Sequence, residues 1–106
     1  MAYNGWTNYE TWLANLWMNE SWDEYNELAK DSCRDAIDEN EIDRTEAEKT
    51  FVDIVESEFY NRLDEIELDG VLRDLLQGAI ESIKFYEIAS HWIEDVIEEV
   101  QAELVG

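Results

Sequence analysis

The chain contains no proline and only four glycines in 106 residues: Gly5, Gly70, Gly78 and Gly106. Sheets joined by tight turns draw on both residue types, so their scarcity favours helices joined by short corners. The single cysteine, Cys33, has no partner for an internal disulfide, which suits a reducing compartment. His91 is the only histidine, and that excludes multi-histidine zinc and di-iron sites. Basic residues are scarce as well: 7 Lys or Arg stand against 28 Asp or Glu, a formal net charge of −21. Proteins that bind DNA or RNA directly do so through a basic face, so direct nucleic-acid binding is excluded. No apolar run approaches the ~20 residues of a membrane span, and the first residues lack a basic stretch leading into an apolar one. The sequence therefore predicts neither membrane insertion nor secretion.

What remains is globular in composition. Hydrophobic residues make up 45%, with 5 Trp and 5 Tyr, unlike a disordered acidic tail. The length suffices for one domain, residues 1–106, and not for two. Thr7-Asn8-Tyr9-Glu10, Ser21-Trp22-Asp23-Glu24 and Thr45-Glu46-Ala47-Glu48 each match a capping box, in which a hydroxyl and a Glu side chain satisfy free amides at a helix start. Apolar spacing predicts a first helix over Asn8–Asn19 with Tyr9, Leu13, Leu16 and Trp17 inward. A second over Trp22–Glu39 buries Trp22, Tyr25, Ala29, Cys33 and Ala36. The third covers Glu46–Ile66 with the stripe Phe51, Val52, Val55, Phe59, Leu63 and Ile66. After a break at Gly70, Val71–Gln77 make one or two turns, and Gly78 kinks or ends that piece. A last helix over Ile80–Leu104 turns Tyr86, Ala89, Ile93, Val96, Val100 and Leu104 inward. The expected fold is an all-α bundle of four to five helices in a single domain.

The charge is uneven. Residues 1–22 sum to −2, residues 23–50 to −7, and residues 51–70 and 71–106 to −6 each. Four of the five tryptophans, Trp6, Trp12, Trp17 and Trp22, lie in the nearly uncharged opening. Five exceed what so small a domain easily buries, so one or two are expected at the surface for a partner or a second copy of the chain. On the second helix Glu24, Glu27, Asp31, Asp35 and Asp38 recur at steps of three and four, which aligns them on one face. The last helix carries a comparable row, Glu87, Glu94 and Glu98, interrupted by His91. Each like-charged pair one turn apart costs a few tenths of a kcal/mol, and Glu98, Glu99 and Glu103 crowd a helix end that favours cations. Repeated small penalties on an outer face point to a function for it. Duplex DNA carries one charge per ~1.7 Å, so this net charge matches ~36 Å of duplex. A compact domain of this length measures roughly 30–35 Å across. Carboxylates at phosphate-like spacing compete for a nucleic-acid-binding groove; the bland alternative is a merely well-solvated surface.

Catalytic constellations are few. No Gly-rich phosphate loop and no Gly-x-Ser-x-Gly elbow occurs. The carboxylate-rich stretch Asp35–Glu46 lacks the glycine of a calcium loop. Glu87, His91 and Asp95 share one helical face, a weak metal constellation better read as a surface histidine among carboxylates. Cys33 falls on a buried face, as a small core residue. The expectation is a protein without enzymatic activity, cofactor or metal.

Two blocks carry a resemblance. Asn4-Gly5-Trp6-Thr7-Asn8-Tyr9-Glu10-Thr11-Trp12, continuing to Leu16-Trp17, resembles the opening of a largely uncharacterised group of small proteins from phages, plasmids and archaeal mobile elements. Tyr86-Glu87-Ile88-Ala89-Ser90-His91 resembles a second block near their C-terminus, and together the two cover about a fifth of the chain. Asn15 stands where that group has an apolar residue, and Tyr86 where it has tryptophan. The resemblance implies a mobile-element origin and counter-defence. The protein is similar in kind to the acidic anti-CRISPR and anti-restriction proteins that mimic DNA. The expected partner is then the basic DNA-binding surface of a host CRISPR effector or restriction enzyme, met in the host cytoplasm. Glu24, Glu27, Asp31, Asp35 and Asp38 are the leading contacts, with Glu87, Glu94 and Glu98 assisting. The alternative is an acidic helical interaction or regulatory module that self-associates through its Trp-rich start.

Overall fold

The computed structural model describes residues 5–67 and 69–105, so Asn4 of the opening block lies outside the described residues. Five helices and one small hairpin follow in order: α1 (Tyr9–Glu20), α2 (Trp22–Asp35), β1 (Ile37–Asp38), β2 (Glu41–Ile42), α3 (Arg44–Glu65), α4 (Gly70–Glu81) and α5 (Phe85–Val105). The all-α single domain expected from the sequence is what forms. Helices α2, α3 and α5 make the core. Tyr25, Ala29 and Cys33 from α2 meet Phe51, Val52 and Val55 from α3 and Ile88, Ala89, Trp92, Ile93, Val96 and Val100 from α5. Trp92 lies near Phe51 and Tyr25, with ring centroids at 6.3 and 6.1 Å.

Pairings fix the helix directions. Tyr25 sits beside Trp92, Lys30 beside Glu99 and Arg34 beside Glu103, so α2 and α5 run parallel. Arg44 reaches Glu94 while Phe59 meets Phe85, so α3 runs antiparallel to α5.

Several boundaries differ from the sequence expectation. The second helix stops at Asp35 because residues 37–42 form an antiparallel hairpin pairing Ile37 with Ile42 and Asp38 with Glu41. Its two-residue turn places Glu39 and Asn40 at φ of 51° and 70°, the twist a tight hairpin requires. With no glycine there, only Asn40 hinted at it. Gln101 of α5 anchors the turn, accepting from the Ile42 amide at 3.2 Å and donating to the Asn40 carbonyl at 3.0 Å. Helix α4 is longer than expected and runs through Gly78, and the break falls instead at 82–84. The capping boxes mark helix starts to within two residues but misname two of the three caps. Asn8, not Thr7, caps α1 by accepting from the Thr11 amide, and Asp43, not Thr45, caps α3 by accepting from Glu46. Ser21 precedes α2 without a side-chain cap bond.

The phase of α1 is the main correction. Its buried residues are Thr11, Ala14 and Met18, whereas Leu16 and Trp17 are 46% and 63% exposed. Tyr9, Trp22, Ile66 and Tyr86, all expected inside, are also exposed, and Phe59 is half-buried. Phe51, Val55, Ile93 and Val96 are buried as expected.

Cys33 is fully buried, and loss of water pushes its thiol up to about 11. A thiol reagent at about pH 8 is expected to leave the native protein untouched and to react once urea unfolds it. Prompt reaction of the folded protein is the contrary result.

Candidate functional site

Because α2 and α5 run parallel, their outward carboxylates form two adjacent rows. Glu24, Glu27, Asp31 and Asp35 follow one exposed line along α2. Asp38, expected to extend that line, stands on β1, where the chain has left the helix. The neighbouring row on α5 is Asp95, Glu99 and Glu103, one turn apart and exposed. Sequence reasoning chose Glu87, Glu94 and Glu98 on that helix, and the structure sends them elsewhere. Glu87 accepts from the Thr7 amide at 3.0 Å and from its hydroxyl at 2.6 Å, tying the chain start to α5. Glu94 turns to α3 and meets Arg44 at 3.4 Å. Glu98 is exposed in line with Glu94, one turn further on. The steps of four between Asp95, Glu99 and Glu103 were legible, but their place beside α2 follows from the parallel packing, which no local spacing encodes.

Two cations sit between the rows. The Arg34 guanidinium donates to Asp31 at 2.7 Å, Glu27 at 3.2 Å and Glu103 at 3.2–3.3 Å, and these bonds raise its affinity for the proton, those to Glu103 most. Lys30 meets Glu99 at 3.2 Å. Seven carboxylates thus surround two cations on this face. Glu24, Asp35 and Asp95 have no ion-pair partner among the described residues. The molecule is also longer than a compact domain, with extents of 52 × 31 × 22 Å. A duplex of that length carries roughly 30 phosphates, so the net −21 gives about two-thirds of duplex charge density rather than parity.

His91 lies against Trp6, ring centroids 4.5 Å apart. With Glu87 held by Thr7, the Glu87–His91–Asp95 line is not drawn together. Among the described residues no three His, Cys, Asp or Glu are gathered to hold a metal ion. Nor is any helix there long and apolar enough to cross a membrane.

The tryptophans divide sharply. Trp92 is buried and donates its indole N–H to Asn15 Oδ1 at 2.8 Å, which explains a polar residue at that position. Trp17 and Trp22 are more than half exposed. Trp17 edges an apolar groove of about 270 Å3 between α1, the end of α3 and α4, with Leu13, Phe59, Ile66, Leu76 and Ile80 along it. Beside it, a second pocket of about 370 Å3 contains Tyr25, whose phenol donates to Glu58 at 3.2 Å; burial and that carboxylate push it up to about 12.

Fold and surface together define a small acidic helical protein with one carboxylate-lined face and one apolar end. The chain belongs to DUF7249, a family of unknown function, whose profile matches residues 1–105. No curated protein and no solved structure matches it.

Proposed function

We propose that the protein is a non-enzymatic counter-defence inhibitor of mobile-element origin, of the anti-CRISPR kind. It acts in the host cytoplasm by occupying, as an acidic DNA mimic, the DNA-binding groove of a CRISPR effector or restriction enzyme. The observation that carries this reading is the pair of parallel carboxylate rows on α2 and α5, seven acids against Lys30 and Arg34, in a chain of net charge −21. Lysines and arginines that grip phosphates meet there a surface of phosphate's sign, in a molecule with about two-thirds of duplex charge density. Arg34 gives the face internal order by fixing Glu27, Asp31 and Glu103 relative to one another.

The test is competition between labelled duplex DNA and this protein for a purified effector at two salt concentrations. Mutual exclusion that weakens as salt rises is expected, because exposed charge pairs are screened. Simultaneous binding of DNA and protein to the effector sinks the mimic.

A further inference from the structure

A small pocket opens where the end of α1, the start of α2 and the middle of α5 meet. Trp6, Trp22, Trp92 and the His91 imidazole wall it, and Asn15, Asn19 and Asp95 supply its polar atoms. Its volume of about 210 Å3 lies below the ~300–1,000 Å3 of small-molecule sites, a size suited to one side chain. Core packing accounts for only part of this wall. Trp92 belongs to the core, but Trp22 is 51% exposed, and Trp6 is partly buried against His91. Asn15 Oδ1 accepts from the Trp92 indole at 2.8 Å, which fixes that side of the pocket. The side chains of Asn19 and Asp95 have no hydrogen-bond or ion-pair partner among the described residues.

The charges around the pocket select a cation. Within one turn of Asn19, Trp22 and Asp95 stand Glu20, Asp23, Glu24, Glu94, Glu98 and Glu99, and no Lys or Arg. The cations that contact this group, Arg44 and Lys30, are held by Glu94 and Glu99. Helix α1 ends here with no basic residue in its last turn, so its terminal carbonyls add partial negative charge. The positive start of α2 is offset by Asp23 and Glu24 in its first turn. Indole faces attract cations for a separate reason, the negative potential above the ring.

Among cations, a guanidinium suits this donor set best. It is planar and stacks on an indole, while its fork of N–H donors matches the Asp95 carboxylate and the Asn19 amide oxygen. An ammonium brings a point charge without a flat face. We propose that the pocket takes the guanidinium of an arginine side chain, laid against Trp22 and paired with Asp95. Trp22 stands just before the α2 row and Asp95 begins the α5 row, so the pocket closes one end of the acidic face. Only the source of that arginine, a phosphate-gripping residue of the target, rests on the DNA-mimic reading.

Titration of the full chain with Nα-acetyl-arginine amide at constant ionic strength tests this, read by the indole N–H resonances of its five tryptophans. The Trp6 and Trp22 signals should shift and saturate with a Kd on the order of 5 mM, while Trp17 at the apolar end stays in place. The citrulline analogue, of the same shape but neutral, should bind about tenfold more weakly or worse. The lysine analogue should bind about threefold more weakly. Asp95→Asn is expected to lower the affinity for arginine about tenfold, and Trp22→Ala about fivefold, with the helical circular dichroism unchanged. These substitutions lie on different helices, so if one variant unfolds the other still decides. Shifts that do not saturate, equal binding of the citrulline or lysine analogue, or indifference to both substitutions overturns the proposal. No effector is present in this titration, so its failure is distinct from failure of the DNA competition.

Discussion

Reversing Glu24, Asp35 and Asp95 to lysine is expected to weaken inhibition of the target by on the order of a hundredfold. Each reversal adds two charges, so the net moves from −21 to −15. If each position meets a phosphate-gripping cation, the loss is about 1 kcal/mol per site, and three sites multiply to about two decades. These positions are preferable to Glu27 and Asp31, which hold Arg34. Lysines there would face that guanidinium and disturb the protein itself. Folding should change by no more than about 1 kcal/mol, since the loss of Glu24 from the first turn of α2 is offset as Asp35→Lys puts a cation in the last turn and relieves repulsion from Asp31. The readout is the inhibition constant against the effector, with the thermal midpoint as control. Unchanged inhibition by a folded triple variant would mean that these carboxylates merely solvate the surface. Inhibition lost with Trp17→Glu instead would move the contact to the apolar end.

The helices were legible because their faces are strongly patterned. Tyr25, Ala29, Cys33 and Ala36 recur at steps of three and four, and all four are buried. The same rule misplaced α1, whose inward face is Thr11, Ala14 and Met18. There the large residues Leu16 and Trp17 point outward, while Met18 is buried. Hydrogen bonds rather than hydrophobicity set that phase, through Asn8 and Thr11 to residues 82–84 and through Asn15 to Trp92. Half of the acidic face was readable as the α2 row. The other half depended on which side of α5 meets α2, a tertiary fact. Glu87 and Glu94 looked alike in sequence, yet one binds Thr7 and the other Arg44. The α1/α4 groove was half visible as a surplus of tryptophan; the exposure of α4, which has no buried residue, was not, because an apolar stripe reads the same whether it is covered by its own chain or by another.

Replacing Asn8 with alanine is expected to destabilise the fold by about 2–3 kcal/mol. Asn8 Oδ1 accepts from the Thr11 amide at 2.9 Å and from the Thr11 hydroxyl at 2.6 Å, and Asn8 Nδ2 donates to the Ser82 carbonyl at 2.8 Å. The Thr11 hydroxyl oxygen, in a fully buried residue, accepts in turn from the Lys84 amide at 2.8 Å. Loss of the helix cap costs about 1 kcal/mol, and stranding the buried hydroxyl and the carbonyl adds about 1–2 kcal/mol. For a domain of this size that lowers the midpoint by roughly 10–15 °C. Thr11→Val keeps the shape but strands the Lys84 amide, so about 2 kcal/mol is expected. The double variant should lose less than the sum of the two, because both remove the same Asn8–Thr11 bond. Thr7→Ala, which gives up only an exposed contact to Glu87, should cost under about 1 kcal/mol. Thermal melts of the four proteins decide the matter. If Asn8→Ala behaves like Thr7→Ala, the corner does not hold α1 in place. If it behaves as expected, the sequence Asn8-Tyr9-Glu10-Thr11 is explained as the joint that orients α1, and with it Trp17, against α4.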